Sequence, residues 1–386
     1  MAIKAVCSVT IPVNRSSNMV MPIFIPNPGA VRSPEMKRTG GKFSSHTIHP
    51  QPGEGIQSLC HRLADILRES AAKPLHLFIF GEIRANAAVL DTLRNIFGRV
   101  DWPITWIEGA ACRSGPIAGI QIQAFAGDVE RIVAGGSMVG SVFTDGGARQ
   151  CFVGGLTSSD KTLSRPEQTL RTLENLQVIL AQAGFELAQT VRTWFFLENI
   201  LSWYDEFNRA RTRVYSDIKF RTGSLPASTG VGAKNPAGAA LIMAAWAFRP
   251  LELDAFAEEV ASPLQCSALA YGSSFSRAME ISSNTGRRLF ISGTASIAPG
   301  GKTLWVGDFR RQMDLTMDVV EAMLHSRGFT FPDLTRATAY FRHLTDVGVF
   351  AEWLVANRLT NMPVVSTQCD VCREDLLFEL EAEAEL

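Results

Sequence analysis

Apolar residues at Ile56, Leu59, Leu63 and Ile66 recur with helical spacing, so the pattern predicts a helix over residues 55–71. The stretch before it, PNPGAVRSPEMKRTGGKFSSHTIHPQPGEG at 26–55, is dense in Gly, Pro and Ser and predicts irregular chain, which makes His46 and His49 loop residues rather than metal ligands. Further on, CFVGG at 151–155 reads as an apolar strand. Pro166 then opens a helix with Leu170, Leu173, Leu176 and Leu180 on one face, Gly184 stops it, and VRTWFFL at 191–197 returns as a strand. The same grammar recurs in RRLFISG at 287–293, a helix striped by Leu315, Val319 and Met323, a stop at Gly328, and a returning strand RATAYFRH at 336–343. An aromatic-rich helix follows each return, at 201–215 and 346–359.

Each of these helices leads into an ending with a proline, a turn-rich middle and a closing strand: SLPASTGVGAKNPAGAALIMAAWAF (224–248) and NMPVVSTQCDVCREDLLFELEAEA (361–384). DWPITWIEGAACRSGPIAGIQIQAFAG (101–127) has the same form. The expectation is an α/β (α+β) chain of three tandem modules: a degenerate one over 1–145, a central one over 146–255 and a C-terminal one over 256–386.

Composition removes partner classes more than it adds them. Formal net charge is −1 and hydrophobic residues make up 46% of the chain, so no basic field is available for nucleic acid. No apolar run reaches the roughly 20 residues that span a bilayer, and the opening MAIKAVCSVTIPVNRSS lacks a leader-like apolar stretch, so no membrane partner and a cytoplasmic location are expected. Seven scattered cysteines fit a reducing compartment. Cys369 and Cys372 form a C-x-x-C without a second pair nearby, which reads as incidental rather than as a metal site.

The chemistry-bearing feature lies in the closing strands. Setting IQIQAFA, LIMAAWA and FELEAEA side by side places Gln121, Ile242 and Glu379 at one position and Gln123, Ala244 and Glu381 two residues on. Residues two apart on a strand share a face, so Glu379 and Glu381 look the same way. Facing a dry cleft, one of them would have a raised pKa and act as a general acid. Facing solvent, they would simply continue through Glu383 and Glu385 as the polar side of a half-exposed strand.

Two segments, CFVGG through VRTWFFL and LFISGTASIAPGGKTLWVGDFRRQMDLTMDVVEAMLHSRGFTFPDLTRATAYFRH, resemble the Rid (YjgF-like) family, whose small α/β units assemble as trimers with ligand clefts between neighbours. The resemblance covers about 151–384 and implies that three units form an internal pseudo-trimer, as a monomer or a larger homo-oligomer. SPLQCSALAYGSSFSRAM (262–279), LFISGTAS (289–296) and CDVCREDLLFELE (369–381) look more specifically like the chorismatases, which release pyruvate from chorismate. That likeness implies a small carboxylic-acid substrate, no cofactor, Glu379 or Glu381 as the acid, Cys372 in the ring pocket, and Arg277 and Arg373 as carboxylate holders. Tyr271, Ser274 and Ser276 would add hydroxyls, and Thr229, Gly230 and Gly232 of STGVG would bring backbone close to the ligand. The sequence departs from the pattern where APGGKT replaces a histidine after SGTASI and where YGSS shortens an insertion before FSRA. The arginine that Rid deaminases carry after the proline of the ending is Ser228 in one copy and Val365 in the other. A Rid-type imine hydrolase with an altered cleft and a non-catalytic metabolite binder are the alternative readings.

Overall fold

The structure, a computed structural model, describes residues 43–111 and 115–386. The chain start, residues 26–42 of the turn-rich stretch and residues 112–114 of the first ending lie outside them. The first sheet is built from β1 (Phe43–Ile48), β2 (Lys73–Gly81), β3 (Ile104–Ile107) and β5 (Ile117–Phe125), with α1 (Ile56–Glu69) and α2 (Asn86–Phe97) packed on it and β4 (Ala110–Ala111) leaving its edge. The second comprises β6 (Glu130–Ala134), β7 (Ser137–Asp145), β8 (Ala148–Leu156), β9 (Thr190–Leu197), β10 (Ala227–Gly232) and β11 (Leu241–Pro250), with α3 (Arg165–Gln182) and α4 (Tyr204–Tyr215). The third holds β12 (Phe256–Val260), β13 (Ala278–Ser283), β14 (Gly286–Ala295), β15 (Leu334–Phe341), β16 (Val364–Gln368) and β17 (Phe378–Glu385), with α5 (Phe309–Ser326) and α6 (Val347–Ala356).

Strand order repeats three times. β1-β5-β2-β3, β8-β11-β9-β10 and β14-β17-β15-β16 have the same neighbours, and in each the last pair alone is parallel. The tandem α/β architecture is therefore present, the first copy included. Hairpin β6–β7 bonds to β8, so strand pairing groups residues 130–145 with the second sheet. β4 pairs with β16 and stitches the third sheet to the first copy. Among the described residues no helix is long and apolar enough to cross a membrane.

Local signals explain the elements. Ser164 and Glu167 form a reciprocal capping box across Pro166, and Gly184 and Gly328, at φ 73° and 78°, close the helices of α3 and α5 in the left-handed region. One expectation fails: residues 43–48 are a strand that carries His46, not a loop. Its pairing with β5 over six residues supplies what Ser and His lack in strand preference.

Each sheet covers its helices with one face and turns the other toward a shared centre. In β17, Phe378, Leu380, Ala382 and Ala384 pack under α5, whereas in β11 Ile242, Ala244 and Trp246 belong to the central core, together with Phe78 of β2, Trp194 of β9 and Tyr340 of β15. The opposite face of β17 carries Glu379, Glu381 and Glu383, and all three are buried. The half-exposed-strand reading is thus overturned for these three: the alternation is real, but only Glu385, at the end of that face, is partly exposed.

Candidate active site

Where the second copy meets the third, the edge strand β10 lies against β14. Four bonds hold the seam: Ser276 N donates to Pro226 O (3.1 Å), Ser228 N to Ser292 Oγ (2.8 Å), Gly293 N to Thr229 Oγ1 (3.0 Å) and Gly232 N to Asp370 O (2.7 Å). The seam opens into a narrow cleft of about 30 Å³, which shares Tyr204, Tyr271, Cys372 and Arg373 with a wider surface hollow beside it. Glu379 of β17 forms the floor of the cleft, Tyr204 and Arg211 come from α4, and Tyr271, Arg277, Cys372 and Arg373 come from loops of the third copy.

Glu379 sits across from Tyr340 and Ala295 and is only 4% exposed. Burial, reinforced by the neighbouring Glu381 charge, pushes its pKa up to about 8, against the pull of Arg192 and Arg277. The carboxyl is therefore protonated at neutral pH. Room for it comes from residue 293: a Cβ there would collide with Glu379 Oε1. Gly293→Ala should displace the carboxyl while leaving the fold nearly intact. The expected result is a drop in turnover of about 10²-fold, the low end of what an acid catalyst supplies. Unchanged kcat in this variant would mean that the position of Glu379 is unimportant.

Glu381 shares the face of Glu379 but not its cleft, which corrects its candidacy as the acid. Its carboxylate receives Arg192 Nη2 at 2.7 Å and Arg336 Nη2 at 2.8 Å, with all three side chains buried. Burial alone would raise its pKa, but Arg336 and Arg192 outweigh that and hold it below the usual range. Glu383 pairs with Arg336 at 2.7 Å and accepts from Gln123, while Gln121 Oε1 accepts from Arg336 Nε. The network also corrects the strand comparison. Gln123, Trp246 and Glu383 stand opposite His76, Arg192 and Arg336 respectively, so Gln121 corresponds to Glu381 and Gly119 to Glu379, two residues from the expected register.

Three guanidiniums face the floor. Arg277 spends Nε on Cys266 O (3.0 Å) and lies over the Tyr271 and Phe275 rings, leaving its buried Nη2 without a partner. Arg211 gives Nη2 to Asn208 Oδ1 (2.7 Å) and Nη1 to Ser228 Oγ (3.4 Å), with Nε unpartnered. Arg373 reaches the Gly301 carbonyl and lies over Tyr271. Among the described residues no carboxylate lies within ion-pair distance of any of the three. Arg211 and Arg277, buried cations without counter-charge, suit an anionic ligand with two carboxylates. Arg211 escaped the sequence reading, although it interrupts the apolar stripe Phe207, Ala210, Tyr215 of its helix. Tyr204 and Gly293 were missed as well, and nothing local marks them.

Other expected contacts lie elsewhere. Gly230 lines the cleft, but Thr229 is fully buried behind it and Gly232 bonds Asp370 at the opposite end of the strand. Ser274 Oγ is 2.6 Å from Thr212 Oγ1, and Ser276 serves the seam through its backbone. The Cys372 thiol, beside the Tyr204 hydroxyl, is pushed up to about 12 by burial and by Glu379, so it stays neutral and shapes the wall rather than attacking. Cys369 belongs to the central core, so the C-x-x-C side chains serve different sites.

The two corresponding seams lack this equipment. At the seam between the third and first copies, Gly119 takes the place of Glu379 and Val365 packs against it; at the seam between the first and second, the place is taken by Ile242.

No family model matches the chain. It is 25% identical to a 3-hydroxybenzoate synthase of Streptomyces hygroscopicus over 51% of its length, and 24% identical to a chorismatase of the same organism over 56%. The matched stretches span 64% and 66% of those relatives, just under two thirds. A crystal structure of a chorismatase superposes on 90% of this chain and 100% of that one, with TM-score 0.63 and 18% identity. The chain therefore has the chorismatase fold and is related in sequence to chorismatases.

Proposed function

We propose that this chain is a chorismatase-like enzyme that releases pyruvate from chorismate or a closely related enolpyruvyl-bearing dicarboxylate. The observation that carries the reading is a protonated, buried Glu379 at the floor of a cleft whose three arginines have no carboxylate partner among the described residues. Arg277 and Arg211 hold the two carboxylates of the substrate and Cys372 and Tyr271 bound its ring. Glu379 then delivers its proton to the enolpyruvyl methylene carbon, and the adjoining ether carbon becomes cationic. Water adds there, the hemiketal collapses with cleavage of the ether C–O bond, and the proton released returns to Glu379. Pyruvate leaves with a dihydroxycyclohexadiene carboxylate; loss of water from the ring would instead leave a hydroxybenzoate.

Because the acid form is the working one, turnover should be constant at neutral pH and fall as pH rises through about 8. The test is incubation of the protein with chorismate, coupled to lactate dehydrogenase for pyruvate, with chromatography of the ring product. Pyruvate release with an alkaline limb near that pH supports the reading. No pyruvate, or a rate that rises with pH across this range, overturns it.

A further inference from the structure

Thr229 is fully buried and does not line the cleft. Its Oγ1 accepts from Gly293 N at 3.0 Å and from Arg192 Nη2 at 2.6 Å, which engages both lone pairs of the hydroxyl. Arg192 Nη2 bridges the same hydroxyl and Glu381 Oε2 (2.7 Å), so the oxygen sits at the junction of the buried ion network and the backbone of β14. That backbone is the wall against which the Glu379 carboxyl rests, Oε1 filling the space that a Cβ of residue 293 would need, with Thr229 Cγ2 beside the same spot.

We propose that Thr229 is a positioning residue: through one hydroxyl it fixes the Gly293 wall to the Arg192–Glu381 pair and so sets where the Glu379 carboxyl points. This rests on the reading of Glu379 as the acid. The fold supplies its own control. At the seam between the first and second copies, Thr105 Oγ1 accepts from Gly155 N at 2.9 Å and contacts His76 Nε2 at 2.7 Å. Gly155 and Gly293 occupy the same bulge of β8 and β14, and His76 and Arg192 the same place on β2 and β9. The joint is thus structural in origin. Only at the second seam does it adjoin a carboxyl, because Ile242 stands in place of Glu379 at the first.

The experiment compares Thr229→Val, Thr229→Ser and Thr105→Val in the full chain. Both valine variants lose one buried hydrogen-bonding hydroxyl and should melt earlier by similar amounts. Thr229→Val should in addition lose about tenfold or more in kcat with KM changed by less than about twofold, and its alkaline limb should move to lower pH as the carboxyl escapes its dry position. Thr229→Ser, which keeps the hydroxyl, should restore kcat and the limb. Thr105→Val should change neither. Equal kcat and pH profiles for Thr229→Val and Thr105→Val would overturn the assignment. The carboxyl ¹³C resonance of Glu379, identified by its loss in Glu379→Gln, gives a readout that needs no substrate. A titration displaced in Thr229→Val and restored in Thr229→Ser supports the assignment, and one unmoved in both overturns it. Absence of pyruvate from the wild-type chain would sink the proposed reaction alone, since the resonance still reports on the joint.

Discussion

Glu379→Gln should lower kcat for pyruvate release by about 10²–10⁴-fold, the range for losing a positioned acid, and at the same time make the protein more stable at neutral pH. The second effect follows from linkage. An unfolded chain ionises this carboxyl near 4.5, whereas the folded chain keeps it protonated up to about 8. Between those values the unfolded state gains from ionisation and the native state does not, so the wild type loses stability as pH rises from 4.5 to 8 and loses no more above it. Each pH unit in that window is worth about 1.4 kcal/mol, so the penalty at pH 7 is on the order of a few kcal/mol. Glutamine carries no such penalty. The difference in melting temperature between variant and wild type should therefore be small at pH 5 and large at pH 8. Parallel stability curves would show that Glu379 is ionised in the folded protein and cannot be the acid.

Glu381→Leu should behave in the opposite way, with a loss of about 3–5 kcal/mol, because it leaves Arg192 and Arg336 buried with their shared counter-charge removed. For a chain of this size that corresponds to a fall in melting temperature of about 5 °C. The cost comes from stranded charge, and the double variant Arg192→Leu/Glu381→Leu tests that origin: it should be less destabilised than the sum of its single changes. Additive losses would mean that the pair is not coupled. In whatever fraction of Glu381→Leu remains folded, the neighbour that raises the Glu379 pKa is gone, so the alkaline limb should shift to lower pH. The two glutamates, identical in residue type and two apart on one strand, thus give opposite stability changes. Environments that push paired carboxyls apart in pKa in this way separate an acid from a structural charge.

How far the sequence reaches can be judged from particular residues. Periodicity alone finds α1, α3 and α5, the strands β8, β9, β14 and β15 and the glycine stops of α3 and α5, since these depend on contacts a few residues away and on one backbone angle. The repeat of those elements is legible for the same reason, and period two in FELEAEAE places four carboxylates on one side of β17. What that side meets is not encoded locally. Glu379 and Glu381 are equivalent by pattern, and only the arrival of Arg192 from 189 residues away, and of Arg336 beside it, separates them. Arg211 enters the cleft because α4 of one copy lies over the seam with the next, and Gly293 matters because another strand brings a carboxyl against its missing side chain. Sequence by itself determined the modules and the face on which the proposed acid stands. Tertiary structure decided that the face is dry, which of its glutamates keeps a proton, and which cations lie within reach, because burial and charge pairing arise only when the three sheets close on one another.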